Sequence, residues 1–66
     1  MRPTRYEAKP ILANGQIRWR VIRQLPNGFY VHVGTPADHK TAADIAADDA
    51  ARRGLRCVYY APVWTP

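Results

Sequence analysis

Gln16-Ile17-Arg18-Trp19-Arg20-Val21-Ile22-Arg23 alternates apolar and basic side chains, with Ile17, Trp19 and Val21 at odd positions and Arg18 and Arg20 between them. Successive side chains of an extended strand point to opposite faces, so this stretch predicts a β-strand with a core stripe on one side and a basic stripe on the other. Strict alternation sorts Arg23 with the apolar set, and it is expected at a frayed strand end, outside the basic surface.

Turn signals flank this strand on both sides. Asn14-Gly15 is a two-residue hairpin signal, because both residues tolerate the positive φ that a type I′ turn needs. In Pro26-Asn27-Gly28, proline presets the first corner and glycine relieves the last. The prediction is a three-stranded antiparallel meander over residues 4–13, 16–25 and 28–34. Its inner face is formed by Tyr6, Ala8 and Leu12, by Ile17, Trp19 and Val21, and by Phe29, Val31 and Val33. Pro10 has no N–H to give to a ladder, which argues for an edge position for the first strand or a break there.

Beyond Gly34 the period changes. Ala43, Ala46, Ala47 and Ala50 recur at helical spacing, Thr41 with Asp44 matches a helix-start pattern, and Thr35-Pro36 offers an earlier start. Gly54 after Arg52-Arg53 is a fitting stop, and Asp48 with Arg52 and Asp49 with Arg53 are i, i+4 pairs on a wet helix face. An alanine-faced helix can lie close against the large inward side chains of the meander, leaving the other sheet face uncovered. Leu55 to Trp64 is rich in strand formers and predicts a fourth strand whose pairing is not readable. The fold class expected is therefore α+β, in chain order βββαβ, as one small basic domain spanning residues 1–66.

The net charge of +5 is unevenly spread. Residues 1–33 carry Arg2, Arg5, Lys9, Arg18, Arg20 and Arg23 against Glu7, residues 34–51 carry Lys40 against Asp38, Asp44, Asp48 and Asp49, and residues 52–66 add Arg52, Arg53 and Arg56. Such a field draws polyanions toward the first half of the chain. The single cysteine, Cys57, excludes an internal disulfide and reads as a small core residue. His32, His39 and Cys57 are too scattered to suggest a metal site, and no cofactor is implied. No carboxylate pair, nucleophile with a base, or glycine-rich phosphate loop has a recognisable spacing, so the chain is not expected to be an enzyme. No segment is apolar and long enough to span a bilayer and no secretory leader is evident, so a membrane partner is not expected and the cytoplasm is the simplest compartment.

The stretches Ile17-Arg-Trp-Arg-Val-Ile-Arg, Val31-His-Val-Gly-Thr and Lys40-Thr-Ala-Ala-Asp-Ile-Ala-Ala-Asp-Asp-Ala-Ala resemble the three-stranded-sheet DNA-binding domains. That group includes the Apetala-type plant factors and the arm-binding domains of phage and transposon integrases. The resemblance covers roughly residues 15–53, and the apolar segment after the helix departs from it. It implies major-groove reading by the exposed face of a sheet backed by one helix, with Arg18 and Arg20 outward on the second strand, Tyr30 and His32 on the third, and Arg5 and Lys9 on the first. The resulting expectation is a small module that binds nucleic acid, duplex DNA in preference to RNA, as an accessory protein of a phage or other mobile element.

Two other readings stand beside this one. Antiparallel sheets commonly leave one face in water, where basic side chains deter edge-to-edge aggregation. The aromatic tail, Tyr59, Tyr60 and Trp64, suits a protein-interaction module of the phage or plasmid inhibitor type, or a homodimer joined through the fourth strand.

Overall fold

Both turns form where their residue types require. The computed structural model describes residues 3–61. Asn14 and Gly15 take φ 52° and 77°, closing a hairpin between β1 (Pro3–Ala13) and β2 (Gln16–Gln24), which pair antiparallel from Ala13↔Gln16 to Tyr6↔Arg23. At the second turn the Gly28 N–H donates to Leu25 O (2.9 Å), the Leu25 N–H to Phe29 O (2.6 Å), and Gly28 takes φ 90°. The Asn27 side chain accepts the Phe29 N–H at 3.0 Å, and β3 (Tyr30–Gly34) returns antiparallel to β2 with a bulge opposite Val21/Ile22.

Helix α1 (His39–Arg53) then crosses the sheet and delivers β4 (Arg56–Tyr60) alongside β1, parallel to it. The order is β3-β2-β1-β4, so the meander is part of a four-stranded mixed sheet backed by one helix. A crossover helix is what allows a strand to return in the same direction as its neighbour.

The edge position expected for the first strand is not what forms, since β1 lies between β2 and β4. Its proline is tolerated for a local reason. The Trp19 N–H is directed away from β1, donating to Pro36 O at 2.9 Å, so Pro10↔Trp19 is a non-hydrogen-bonded pair of the hairpin. The missing N–H of Pro10 therefore faces the β4 side, where among the described residues β4 pairs with β1 only from Pro3 to Glu7. Among the described residues Pro10 thus occupies an edge-like position in an interior strand.

The core lies between the helix and one sheet face. Tyr6, Ala8, Trp19 and Val21 meet Ala42, Ala46 and Ala50, with Val33, Ile45, Leu55, Cys57 and Tyr59 packed around them. The buried helical stripe is thus Ala42, Ala46 and Ala50, with Ala47 exposed, because the i, i+4 row is the one turned to the sheet. Ile45 lies over Gly34, where an added methyl would come within 3.5 Å of its Cγ2. The helix starts earlier than Thr41: Asp38 is the N-cap, its carboxylate accepting the Thr41 N–H at 2.8 Å. Gly54 closes the helix at φ 68°.

Three residues expected in the core are exposed instead. Leu12 (73% exposed) and Ile17 (36%) lie on the correct sheet face but beyond the reach of the helix, and Phe29 (71%) stands in the turn before β3 begins. Among the described residues no helix is long and apolar enough to cross a membrane.

Candidate nucleic-acid interface

Cross-strand partners share a face, so the register defines the side of the sheet away from the helix. It carries Arg5, Glu7, Lys9 and Ile11 of β1, Arg18, Arg20 and Ile22 of β2, Tyr30 and His32 of β3, and Arg56, Val58 and Tyr60 of β4. Arg5, Lys9, Arg18, Arg20, Tyr30 and His32, the residues singled out from the sequence, all lie on this face. They do not form one uniform surface.

At the end where all four strands are present, Arg5 and Glu7 are already matched, while Arg56 on the outer strand is exposed and in no ion pair among the described residues. Arg5 Nε donates to Glu7 Oε2 at 3.1 Å, and the Arg5 guanidinium lies 4.0 Å over the ring of Tyr60. The Tyr30 hydroxyl beside Glu7, with help from Arg5, holds that carboxyl below its ordinary range, and the same contact raises the Tyr30 pKa. Ile22 is covered here although it faces away from the helix. A phosphate approaching this end meets Glu7 and an arginine that is already paired.

The other end is different. Lys9 stands directly opposite Arg20, and Ile11 opposite Arg18. Because Pro10↔Trp19 is a non-hydrogen-bonded pair, Lys9↔Arg20 is of the hydrogen-bonded type, with Cα atoms about 5.5 Å apart. Among the described residues the ion pairs are Arg5–Glu7, Arg23–Asp49, Arg52–Asp48 and Arg53–Asp49; Lys9, Arg18 and Arg20 take part in none. Like charges directly opposite across a ladder destabilise it. Arg18 is partly fixed, its Nε donating to Thr35 O at 3.0 Å, while His32 Nε2 and Thr35 Oγ1 are 2.8 Å apart.

Several charged and aromatic residues prove to have structural roles. Arg23 is not at a frayed end as expected but lies within β2 on the helix side, paired with both Tyr6 and Val31, its Nη1 3.7 Å from Asp49 Oδ2 and its side chain only 13% exposed. Asp49 is therefore not on a wet helix face. It accepts the hydroxyl of fully buried Tyr6 at 2.6 Å and the Nε of Arg53 at 3.2 Å. Burial alone would raise the Asp49 carboxyl, but the Tyr6 hydroxyl and the Arg53 and Arg23 guanidinium groups outweigh it and hold it below its ordinary value. Burial first, and the Asp49 contact second, push the Tyr6 phenol well above its usual range. No sequence signal marked this network, because Tyr6, Arg23 and Asp49 meet only when the helix crosses the sheet.

The proposed aromatic interface is divided by strand alternation. Tyr59 is half-buried against the core on the helix side, Tyr60 lies on the open face under Arg5, and Trp64 is outside the described residues. Cys57 is also half-buried, and burial raises its thiol pKa, which suits a packing role. His32 faces away from the helix, whereas His39 contacts Trp19 edge-on at 5.5 Å on the other side. Among the described residues no group of three His, Cys, Asp or Glu could hold a metal ion. A half-open cleft of about 320 Å³, lined by Pro3, Thr4, Arg23, Leu25, Pro26 and Leu55 among others, lies at the far end of the sheet from Lys9 and Arg20.

The chain matches no protein-family model, no curated protein and no solved structure.

Proposed function

We propose that this protein is a small nucleic-acid-binding module that engages duplex DNA through the open face of its sheet, in the manner of the three-stranded-sheet domains its sequence resembles. The observation that carries this reading is the Lys9↔Arg20 pair with Arg18 beside it: adjacent cations without a carboxylate partner among the described residues, on a face the helix leaves open. Their mutual repulsion is a cost to the free protein that a row of phosphates relieves. Arginine supplies a planar fork for base edges or phosphate, and lysine a point charge for the backbone. The role is binding rather than catalysis, fitting an accessory protein of a phage or other mobile element acting in the cytoplasm.

A mobility-shift titration over a range of salt tests it. Affinity is expected to fall linearly in log–log form, each phosphate contact contributing about 0.9 to the slope. Arg18→Ala with Arg20→Ala is expected to abolish the shift while leaving the circular dichroism spectrum intact. Undiminished affinity in that double variant overturns the reading.

A second reading has one specific observation in its favour. Leu12 and Ile17 are directly paired and both exposed on the opposite side of the same hairpin, an apolar patch suited to a protein partner or a second copy of the chain. Light scattering coupled to size exclusion separates the two: a salt-independent dimer that shifts no DNA at low salt favours protein interaction.

A further inference from the structure

The strands differ in length in a way that bears on how the open face is used. Among the described residues β4 accompanies β1 only as far as Glu7, and β3 accompanies β2 only from Val21 onward, with Trp19 N–H to Pro36 O the last backbone hydrogen bond on that side. From Ile11 to Arg18 the hairpin is a two-stranded ribbon with no third strand beside it among the described residues. At about 3.3 Å per residue, it projects some 13 Å past Lys9 and Arg20 before the turn.

This length and width match a particular receptor. The major groove of B-form DNA is about 12 Å wide and 8.5 Å deep and admits a two-stranded ribbon. The four-stranded end, whose outer strand axes are about 14 Å apart at the usual interstrand spacing, does not enter it. Three of the unpaired cations follow the same division; Arg56, on the outer strand β4 at the broad end, does not. Lys9 and Arg20 sit at the root of the ribbon, Arg18 lies on it, and Arg5 at the broad end is neutralised by Glu7.

The ribbon's open side also carries side-chain types suited to base edges. Ile11, Ala13, Gln16 and Arg18 share it by register. Gln suits the N6/N7 edge of adenine, Arg the O6/N7 edge of guanine, and an aliphatic side chain the thymine methyl. Arg18 is partly preorganised, since Nε is held by Thr35 O and the two Nη groups remain as the free end of the fork. Fixing a long side chain before binding lowers the ordering cost of the contact.

Resting on the nucleic-acid reading above, we infer that the ribbon, rather than the whole sheet face, enters the major groove of B-form DNA, with Gln16 and Arg18 reading bases and Lys9 and Arg20 holding the flanking phosphates. A-form RNA has a major groove too deep and narrow for such a ribbon, so the same geometry discriminates against double-stranded RNA.

The test is selection of the full chain against a library of randomised 20-base-pair duplexes, followed by binding to one enriched duplex, to unselected DNA and to RNA duplex of the enriched sequence. Arg18→Lys and Gln16→Ala are each expected to weaken the enriched duplex about tenfold, leaving unselected DNA and the salt slope unchanged. Arg20→Ala is expected to weaken both DNAs and to lower the slope by about 0.9. RNA duplex is expected to bind at least tenfold more weakly than the same sequence as DNA. Binding without enrichment, an enriched duplex indifferent to both ribbon variants, or equal affinity for RNA overturns the ribbon inference while leaving nucleic-acid binding standing. Absence of any DNA or RNA binding at low salt overturns the underlying reading as well.

Discussion

Arg20→Glu is expected to stabilise the fold and to weaken nucleic-acid binding at once. In the native sheet Arg20 faces Lys9 directly, at a Cα separation of about 5.5 Å, and has Arg18 two residues along on the same face, roughly 6.7 Å away. Charges about 6 Å apart in a water-like dielectric interact by ~0.7 kcal/mol, and reversing one sign turns two repulsions into two attractions. Screening and the diagonal neighbour Glu7 reduce the sum. Measured cross-strand charge pairs of about 0.2–1 kcal/mol each put the net gain near 1 kcal/mol. For a domain of this size that corresponds to a rise in Tm of about 4–8 °C. Thermal denaturation followed by circular dichroism at 10 mM and at 1 M salt measures it, because at 1 M the screening length of about 3 Å removes most of the gain. The same variant should lose at least one phosphate contact, lowering the log–log salt slope by about 0.9. No stabilisation at low salt, or a gain equally large at 1 M, refutes the argument that Lys9, Arg18 and Arg20 repel one another on this face.

Three further outcomes concern the scaffold. Tyr6→Phe removes a hydrogen bond to the Asp49 carboxylate and should cost about 1.5–3 kcal/mol in urea unfolding, while Asp49→Asn should flatten the acid limb of the stability profile. The folded-state pKa of Asp49 lies below its ordinary 3.8, so its contribution is present above that value and is lost as pH falls through the folded-state pKa; an unchanged acid limb in the variant contradicts this. Gly54→Ala places a side chain at φ 68° with open space around it, so the loss, about 1 kcal/mol by thermal denaturation, is purely of backbone origin.

The extent to which the interface was legible follows from the periodicity of a strand. Once Asn14-Gly15 and Pro26-Asn27-Gly28 set the turns, alternation alone put Arg5, Lys9, Arg18, Arg20, Tyr30 and His32 on one face, because backbone pleating needs no tertiary information. Which of those charges are free was not legible. Arg5 is neutralised by a residue two positions away, and Tyr30 reaches Glu7 from a strand that is not its neighbour. Arg23 sorted correctly to the apolar side, but its reason for being there, Asp49, is on the helix.

What the sequence determined by itself is local: the two hairpin turns, the helix stop at Gly54, the strand alternation and the segregation of charge. Each depends on the φ preference, side-chain direction or composition of a few adjacent residues. Tertiary structure alone decided that β4 runs parallel beside β1, that Pro10 can lie in an interior strand, that Asp49 is a half-buried partner of Tyr6 and Arg23, and that the β1–β2 hairpin outruns the described lengths of β3 and β4. These depend on where the crossover helix ends and how far each neighbouring strand extends, quantities set by packing between segments tens of residues apart.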